Sequence, residues 1–347
     1  LSGRPFLQRW GDRTPSLLFS NIKANMPPGG NEGISDADYL AITAHILDTN
    51  GVDAITAALT ASTDFTIADN ASELVANRQR SEPPAPEGIT VAGNVDDYSP
   101  FVPVTDAMLE APDPADWPMI RRSYDAHSFS PLDQINTANV DSLSLEWVWN
   151  MHEGDSEPSP LVYKGIIYLI NPGNVIQALD GKTGELIWEN WAGPANRQDM
   201  RNIAIYNDKI IQATTDARLI ALDARTGEQV WETAVADNTQ GFENSSGPIV
   251  ADGRVILGLA GCARYIKDDC YISAHDANTG ELAWRFNTIA KANEPGGDTW
   301  GELDDIFRAG GETWITGSYD PDLKLTYWGT AQQKPWVPVS RHLTIND

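Results

Sequence analysis

Apolar and polar positions follow two different rhythms along this chain. Near the N-terminus, Tyr39, Leu40, Ile42, Ile46 and Leu47 recur at near-helical spacing. Ser35 precedes that run with Asp38 three residues later, a capping-box pattern, and Asn50-Gly51 supplies the stop. This spacing predicts one well-bounded helix. After Trp117 the rhythm shortens to strand-like runs set between turn residues, as in Gly165-Ile166-Ile167-Tyr168-Leu169-Ile170, Lys209-Ile210-Ile211-Gln212-Ala213 and Arg254-Val255-Ile256-Leu257-Gly258. Between the two lies Thr/Ala/Asp-rich sequence, then Ser81-Glu82-Pro83-Pro84-Ala85-Pro86-Glu87-Gly88 and Ala111-Pro112-Asp113-Pro114, which stiffen or expose a chain rather than build a core. The expected organisation is a helical segment over 1–51, a linker over 52–115 and an all-β domain over 116–347.

The β region repeats itself. Ala178-Leu179-Asp180-Gly181-Lys182-Thr183-Gly184-Glu185-Leu186-Ile187-Trp188 returns as Ala221-Leu222-Asp223-Ala224-Arg225-Thr226-Gly227-Glu228-Gln229-Val230-Trp231, and again as Ala274-His275-Asp276-Ala277-Asn278-Thr279-Gly280-Glu281-Leu282-Ala283-Trp284. In such a unit Asp and Thr bond the backbone of a turn, Gly takes a positive φ, and the next strand carries Trp to a neighbouring unit. Tryptophans 43 and 53 residues apart suit the four-stranded blades of a propeller.

Composition narrows the function. With 49 acidic against 24 basic residues the net charge is −25, which repels phosphate backbones and argues against nucleic acid as a partner. No apolar run approaches the roughly 18 residues of a membrane span. The two cysteines, Cys262 and Cys270, suggest a loop-closing disulfide, with a pair of buried thiols as the alternative; no second Cys/His pair lies nearby to make a zinc site. The chain starts at Leu1 without Met and stops at Asp347 without a closing element, so both ends look cut.

The tryptophan-docking repeat resembles that of the pyrroloquinoline-quinone-dependent alcohol dehydrogenases. So do Asp116-Trp117-Pro118-Met119-Ile120-Arg121-Arg122, Ser130-Pro131-Leu132-Asp133-Gln134-Ile135-Asn136, Glu294-Pro295-Gly296-Gly297-Asp298-Thr299-Trp300 and Gly317-Ser318-Tyr319-Asp320-Pro321. The likeness runs from about Trp117 to Trp336. It implies an eight-bladed propeller with the quinone on its axis, of which residues 117–347 supply about five blades at most. A planar, anionic quinone in this family is held by a Glu, an Arg, hydroxyls, backbone amides near a cysteine or glycine turn, and a Trp beneath the rings. The matching positions are Glu157, Arg201, Thr214 (with Thr215 one residue away on the opposite face), Gly261, Cys262 and Trp314.

Residues 1–51 resemble the second half of a c-type cytochrome, on Phe6-Leu7-Gln8-Arg9-Trp10-Gly11-Asp12-Arg13, Ile22-Lys23-Ala24-Asn25-Met26-Pro27-Pro28 and the helix ending at Gly51. Met26 is then the candidate axial ligand of haem iron. No Cys-x-x-Cys-His attachment sequence occurs in these 347 residues. The family also holds calcium or a lanthanide through a Glu and an Asn. Here those positions fall near Ala263-Arg264 and at Gln332, so the metal site departs from the pattern, with Asp268 and Asp269 as possible geometric substitutes. The family's catalytic Asp falls beyond Asp347, so no catalytic residue is assigned. The resemblance implies a fragment of a periplasmic quinohaemoprotein that oxidises an alcohol and passes electrons through haem c to a cytochrome or a membrane quinone. A non-catalytic periplasmic propeller scaffold is the rival from another class.

Overall fold

A computed structural model describes residues 6, 10–11, 13–25, 33–52, 59–67, 69, 88–91, 100–152, 154, 157–193, 201–262 and 270–334. The chain divides into two compact units, one formed by 1–84, 298–308 and 333–347, the other by 85–297 and 309–332.

In the first unit the expected helix is α2 (Asp36–Thr49), preceded by α1 (Pro15–Asn25). Its start is set by the capping box. The Asp38 amide donates to Ser35 Oγ at 3.3 Å, and the Ser35 amide donates back to the Asp38 carboxylate at 2.9 Å. The Asn50 amide donates to the Ile46 carbonyl and ends the helix. The buried stripe is Tyr39, Thr43 and Leu47, one turn apart, while Ile42 is exposed. Leu18, Phe19 and Ile22 of α1 join Tyr39 and Leu47 in an apolar core with Phe6, Trp10, Val52 and Ile67. Met26 lies outside the described residues.

The second unit is built of blades. β2 (Leu161–Tyr163), β3 (Ile166–Asn171), β4 (Val175–Asp180) and β5 (Leu186–Trp191) form an antiparallel sheet, and β1 (Gly88–Val91) adds a fifth strand beside β5. A second sheet runs β6 (Ala204–Tyr206), β7 (Lys209–Ala213), β8 (Arg218–Asp223), β9 (Gln229–Ala234). The third runs β10 (Ile249–Ala251), β11 (Arg254–Leu257), β12 (Tyr271–Asp276), β13 (Leu282–Asn287), and a hairpin follows from β14 (Ser318–Asp320) and β15 (Leu325–Tyr327). All these pairings are antiparallel, and the sheets are those of propeller blades. The end of the expected linker therefore belongs to this unit. It supplies β1, the bridge of Val104 to Asn207, and the short helix α3 (Asp106–Glu110), whose Leu109 is buried in the core.

The repeated motif does the same work three times. Asp180 Oδ1 accepts the amides of Lys182 and Thr183 at 2.8 and 2.7 Å, and Thr183 Oγ1 accepts that of Glu185 at 3.2 Å. Asp223 and Thr226 repeat this bonding, as do Asp276 and Thr279. Each corner glycine has φ near +74°, and each lies flat under the tryptophan of the preceding blade. A Cβ on Gly227 would stand 2.6 Å from the Trp188 ring, and one on Gly280 would stand 2.6 Å from Trp231. Gly184 sits in the same way under Trp147, so Trp147 is a further docking tryptophan, outside the three repeats. Trp188 is fully buried, and its indole N–H donates to the Ala224 carbonyl at 3.0 Å. The same register shift recurs where each corner meets its sheet, at Ala178/Leu179, Ala221/Leu222 and Ala274/His275.

Candidate cofactor site at the leading edges of the blades

Four candidate or neighbouring groups occupy equivalent places, each just ahead of the first strand of its four-stranded meander or hairpin. Glu157 precedes β2, Arg201 precedes β6, Ser245 precedes β10 and Trp314 precedes β14. Hydrogen bonds tie these lead-in segments side by side. The Ser159 amide donates to the Arg201 carbonyl at 2.7 Å, and Asn202 Nδ2 donates to the Pro248 carbonyl at 2.9 Å. The Thr316 hydroxyl is buried between Asn202 Oδ1 and the Ser246 carbonyl. Residues far apart in sequence thus meet because each starts a blade.

Arg201 is the hub. Its Nη2 pairs with the Glu157 carboxylate at 2.8 Å, its Nη1 donates to the Ser245 carbonyl at 3.3 Å, and its guanidinium carbon lies 5.2 Å from the Trp314 ring centroid. Such a separation is a cation–π contact. The Arg201 side chain is only 21% exposed, whereas its Glu157 partner is 54% exposed. A solvated carboxylate on a half-buried guanidinium is a weak ion pair, so an incoming anion can replace it. Nearby, Asn244 Oδ1 and Ser246 Oγ are buried with no hydrogen-bond partner among the described residues. Buried polar atoms left in that state are costly and suit a polar ligand. Together the groups offer a fixed planar cation, an aromatic plate at its side and unused hydrogen-bonding capacity. These fit a flat, anionic ring system.

The remaining candidates are placed differently. Thr214 is buried, and its hydroxyl closes the β7–β8 hairpin, accepting the Arg218 amide at 3.0 Å and donating to the Arg218 carbonyl at 3.2 Å. The Thr215 hydroxyl accepts from Asn174 Nδ2 at 3.1 Å. Both hydroxyls thus have partners within the blades. The amides of Gly261 and Cys262 converge on one oxygen, Glu312 Oε1, at 2.8 and 3.0 Å. Cys262 is disulfide-bonded to Cys270 with a Cα–Cα distance of 5.5 Å. Gln332 is exposed and follows Ala331, whose amide donates to the Glu312 carbonyl at 2.7 Å. Ala263, Arg264, Asp268 and Asp269 lie outside the described residues, and among the described residues no three His, Cys, Asp or Glu side chains gather. The carboxylate that sequence reasoning missed here is Glu312. Its flanking Gly311 and Thr313 mark a turn, but nothing in the local pattern marks a buried acid. Among the described residues no helix is long and apolar enough to cross a membrane.

Residues 117–337 match the family described as PQQ, glucose/ethanol/alcohol dehydrogenase, beta-propeller domain. The chain is 32% identical over 255 residues to quinohemoprotein alcohol dehydrogenase ADH-IIG of Pseudomonas putida, covering 68% of this chain and 35% of that protein. It is 34% identical over 242 residues to the quinohemoprotein alcohol dehydrogenase of Comamonas testosteroni, covering 64% and 34%. The solved structures of these two enzymes superpose on it with TM-scores of 0.61 and 0.57 at 29% and 30% identity, covering 69% and 68% of this chain and 38% of each of theirs. The chain spans about a third of the length of the curated relatives it matches.

Proposed function

Since this chain belongs to the glucose/ethanol/alcohol dehydrogenase β-propeller family, we propose that it is part of a periplasmic quinohaemoprotein that oxidises an alcohol through pyrroloquinoline quinone and passes the electrons to haem c. The observation that carries this reading is Arg201, held between a carboxylate and an indole ring on neighbouring lead-in segments. When bound, the quinone supplies a two-electron acceptor for the alcohol, and a haem supplies a one-electron exit. The protein's share is placement. Arg201 pairs with an acidic or carbonyl oxygen of the quinone, Trp314 gives its rings a flat neighbour, and the Ser246 hydroxyl offers an unused O–H donor in the same layer. Glu157, on the solvent side, pairs with the guanidinium and lies beside the quinone as a further cofactor contact, its weak ion pair open to exchange for the ligand's acid group. The Cys262–Cys270 disulfide supports an oxidising compartment. Met26 is the proposed haem ligand of the helical unit, and a cytochrome or membrane quinone the proposed acceptor. A cation, calcium or lanthanide, has Gln332 as its proposed contact.

The test is a titration of the chain with pyrroloquinoline quinone, followed by quenching of tryptophan fluorescence, with and without Ca²⁺ or a lanthanide. Arg201→Ala removes a charge-assisted contact of about 1.5–3 kcal/mol and is expected to weaken binding about tenfold to a hundredfold. Saturable quenching that Arg201→Ala leaves unchanged would sink the site. Absence of quenching under every condition would leave the scaffold reading.

A further inference from the structure

Given a quinone at Arg201 and Trp314, as proposed above, we infer that Glu312 is a built-in carboxylate that occupies the anion-binding amides of Gly261 and Cys262 and so selects against a ligand carboxylate there. Two adjacent backbone N–H groups aimed at one oxygen form an anion-binding nest. In this protein the oxygen is supplied by the chain itself, Glu312 Oε1, at 2.8 and 3.0 Å from the two nitrogens.

The nest is a built feature. Gly261 has φ +85°, and a Cβ on it would stand 1.9 Å from the Gly241 carbonyl oxygen, so only glycine serves. Cys262 is fixed on its other side by the bond to Cys270. The segment bearing Glu312 is stitched alongside. The Gly310 amide donates to the Cys262 carbonyl at 3.2 Å, the Thr313 amide donates to the Leu259 carbonyl at 2.9 Å, and Thr313 Oγ1 accepts the Leu259 amide at 3.1 Å. Glu312 is buried, at 7% exposure, and two residues on the same segment delivers Trp314 to Arg201. The plate that receives the ligand and the carboxylate that fills the nest therefore travel on one short piece of backbone. A ligand carboxylate brought to the nest meets the Glu312 carboxyl group and finds both amides taken. Arg201 remains as the described cation for it.

The test compares binding of pyrroloquinoline quinone and of its trimethyl ester by tryptophan quenching in the wild-type chain, Glu312→Ala and Glu312→Gln. Glu312→Ala opens the nest and removes the charge. It is expected to tighten binding of the tricarboxylate about tenfold or more, roughly one regained charge-assisted hydrogen bond or two, and to leave the ester within about twofold. Glu312→Gln keeps an acceptor on the amides and is expected to fall between, which also serves should Glu312→Ala fail to fold. The inference is overturned if either variant binds the tricarboxylate no better than wild type while wild type binds it. It is also overturned if Ca²⁺ tightens wild-type binding and Glu312→Ala abolishes that gain, which would make Glu312 a cation ligand. No quenching by either probe in any of the three proteins removes the quinone reading itself, and with it any ligand for Glu312 to exclude.

Discussion

The stacking of Trp188 on Gly227 fixes the size of a coupling that can be measured. Replacing Gly227 by Ala puts a side chain on a residue with φ +74°, which costs about 1–2 kcal/mol for an L-residue. The new Cβ also lies 2.6 Å from Trp188 Cε3 and 2.8 Å from Cδ2, in a fully buried contact where overpacking adds about 1–3 kcal/mol. Gly227→Ala alone is therefore expected to destabilise by about 2–5 kcal/mol. Trp188→Ala is expected to cost about 3–5 kcal/mol. That variant strands no acceptor, because the Tyr168 hydroxyl also donates to the Ala224 carbonyl, at 3.0 Å. In the double variant the ring is gone and only the backbone cost of the alanine remains, so the two changes should fall short of additivity by about 1–3 kcal/mol. Urea unfolding followed by far-ultraviolet circular dichroism measures all four proteins without relying on the deleted tryptophan. A cycle that closes additively, within about 0.5 kcal/mol, would show that the ring does not rest on the glycine, and the account of the repeat would fail with it.

Removing the Cys262–Cys270 bond, separated by 8 residues, is expected to cost about 2–3 kcal/mol by the loop-entropy relation. Unfolding of a Cys262→Ser/Cys270→Ser double variant against wild type, with and without reductant, checks this, and only wild type should respond to reductant. His275 stands where the other two repeats have Leu179 and Leu222. Burial holds its pKa below the ordinary histidine value, against the opposing effect of the Gly280 carbonyl. A depressed histidine keeps its stability contribution above the unfolded value of about 6.5 and loses it as pH falls toward the folded value. His275→Leu is thus expected to flatten the decline of the urea midpoint below about pH 6.5, and an unchanged slope would count against it. The Gly280 carbonyl keeps a donor in that variant, the Thr233 hydroxyl at 3.0 Å.

Much of the β unit could be read from its letters because its corners are local. Asp, Thr and Gly bond within five residues of one another, so the turn, the positive φ and the following strand are all written in a single stretch. The helix of the first unit was legible for the same reason, through Ser35 and Asp38, although its buried stripe takes Thr43 and leaves Ile42 outside. Trp147 escaped because no Asp-x-x-Thr-Gly corner comes before it; its position 41 residues ahead of Trp188 was the available signal. Strand β1 escaped because its pairing with β5 joins residues about a hundred apart, across proline-rich sequence. The cofactor site divides in the same way. Glu157, Arg201 and Trp314 could be named from motifs, but their meeting depends on the side-by-side placing of lead-in segments, which no window of sequence contains. Thr214 shows the limit: its residue type suits a ligand hydroxyl, and its geometry spends that hydroxyl on its own hairpin.

The tryptophan contacts all point one way along the chain: Trp147 onto Gly184, Trp188 onto Gly227, Trp231 onto Gly280. A blade therefore cannot seal its own indole; the lid arrives with the next one to be made. During synthesis each finished sheet would leave the ribosome with one large ring still wet, and the emerging corner behind it would be the surface that dries it. Assembly gains a direction, like courses of masonry laid in order, and a corner that fails strands the ring of the blade before it.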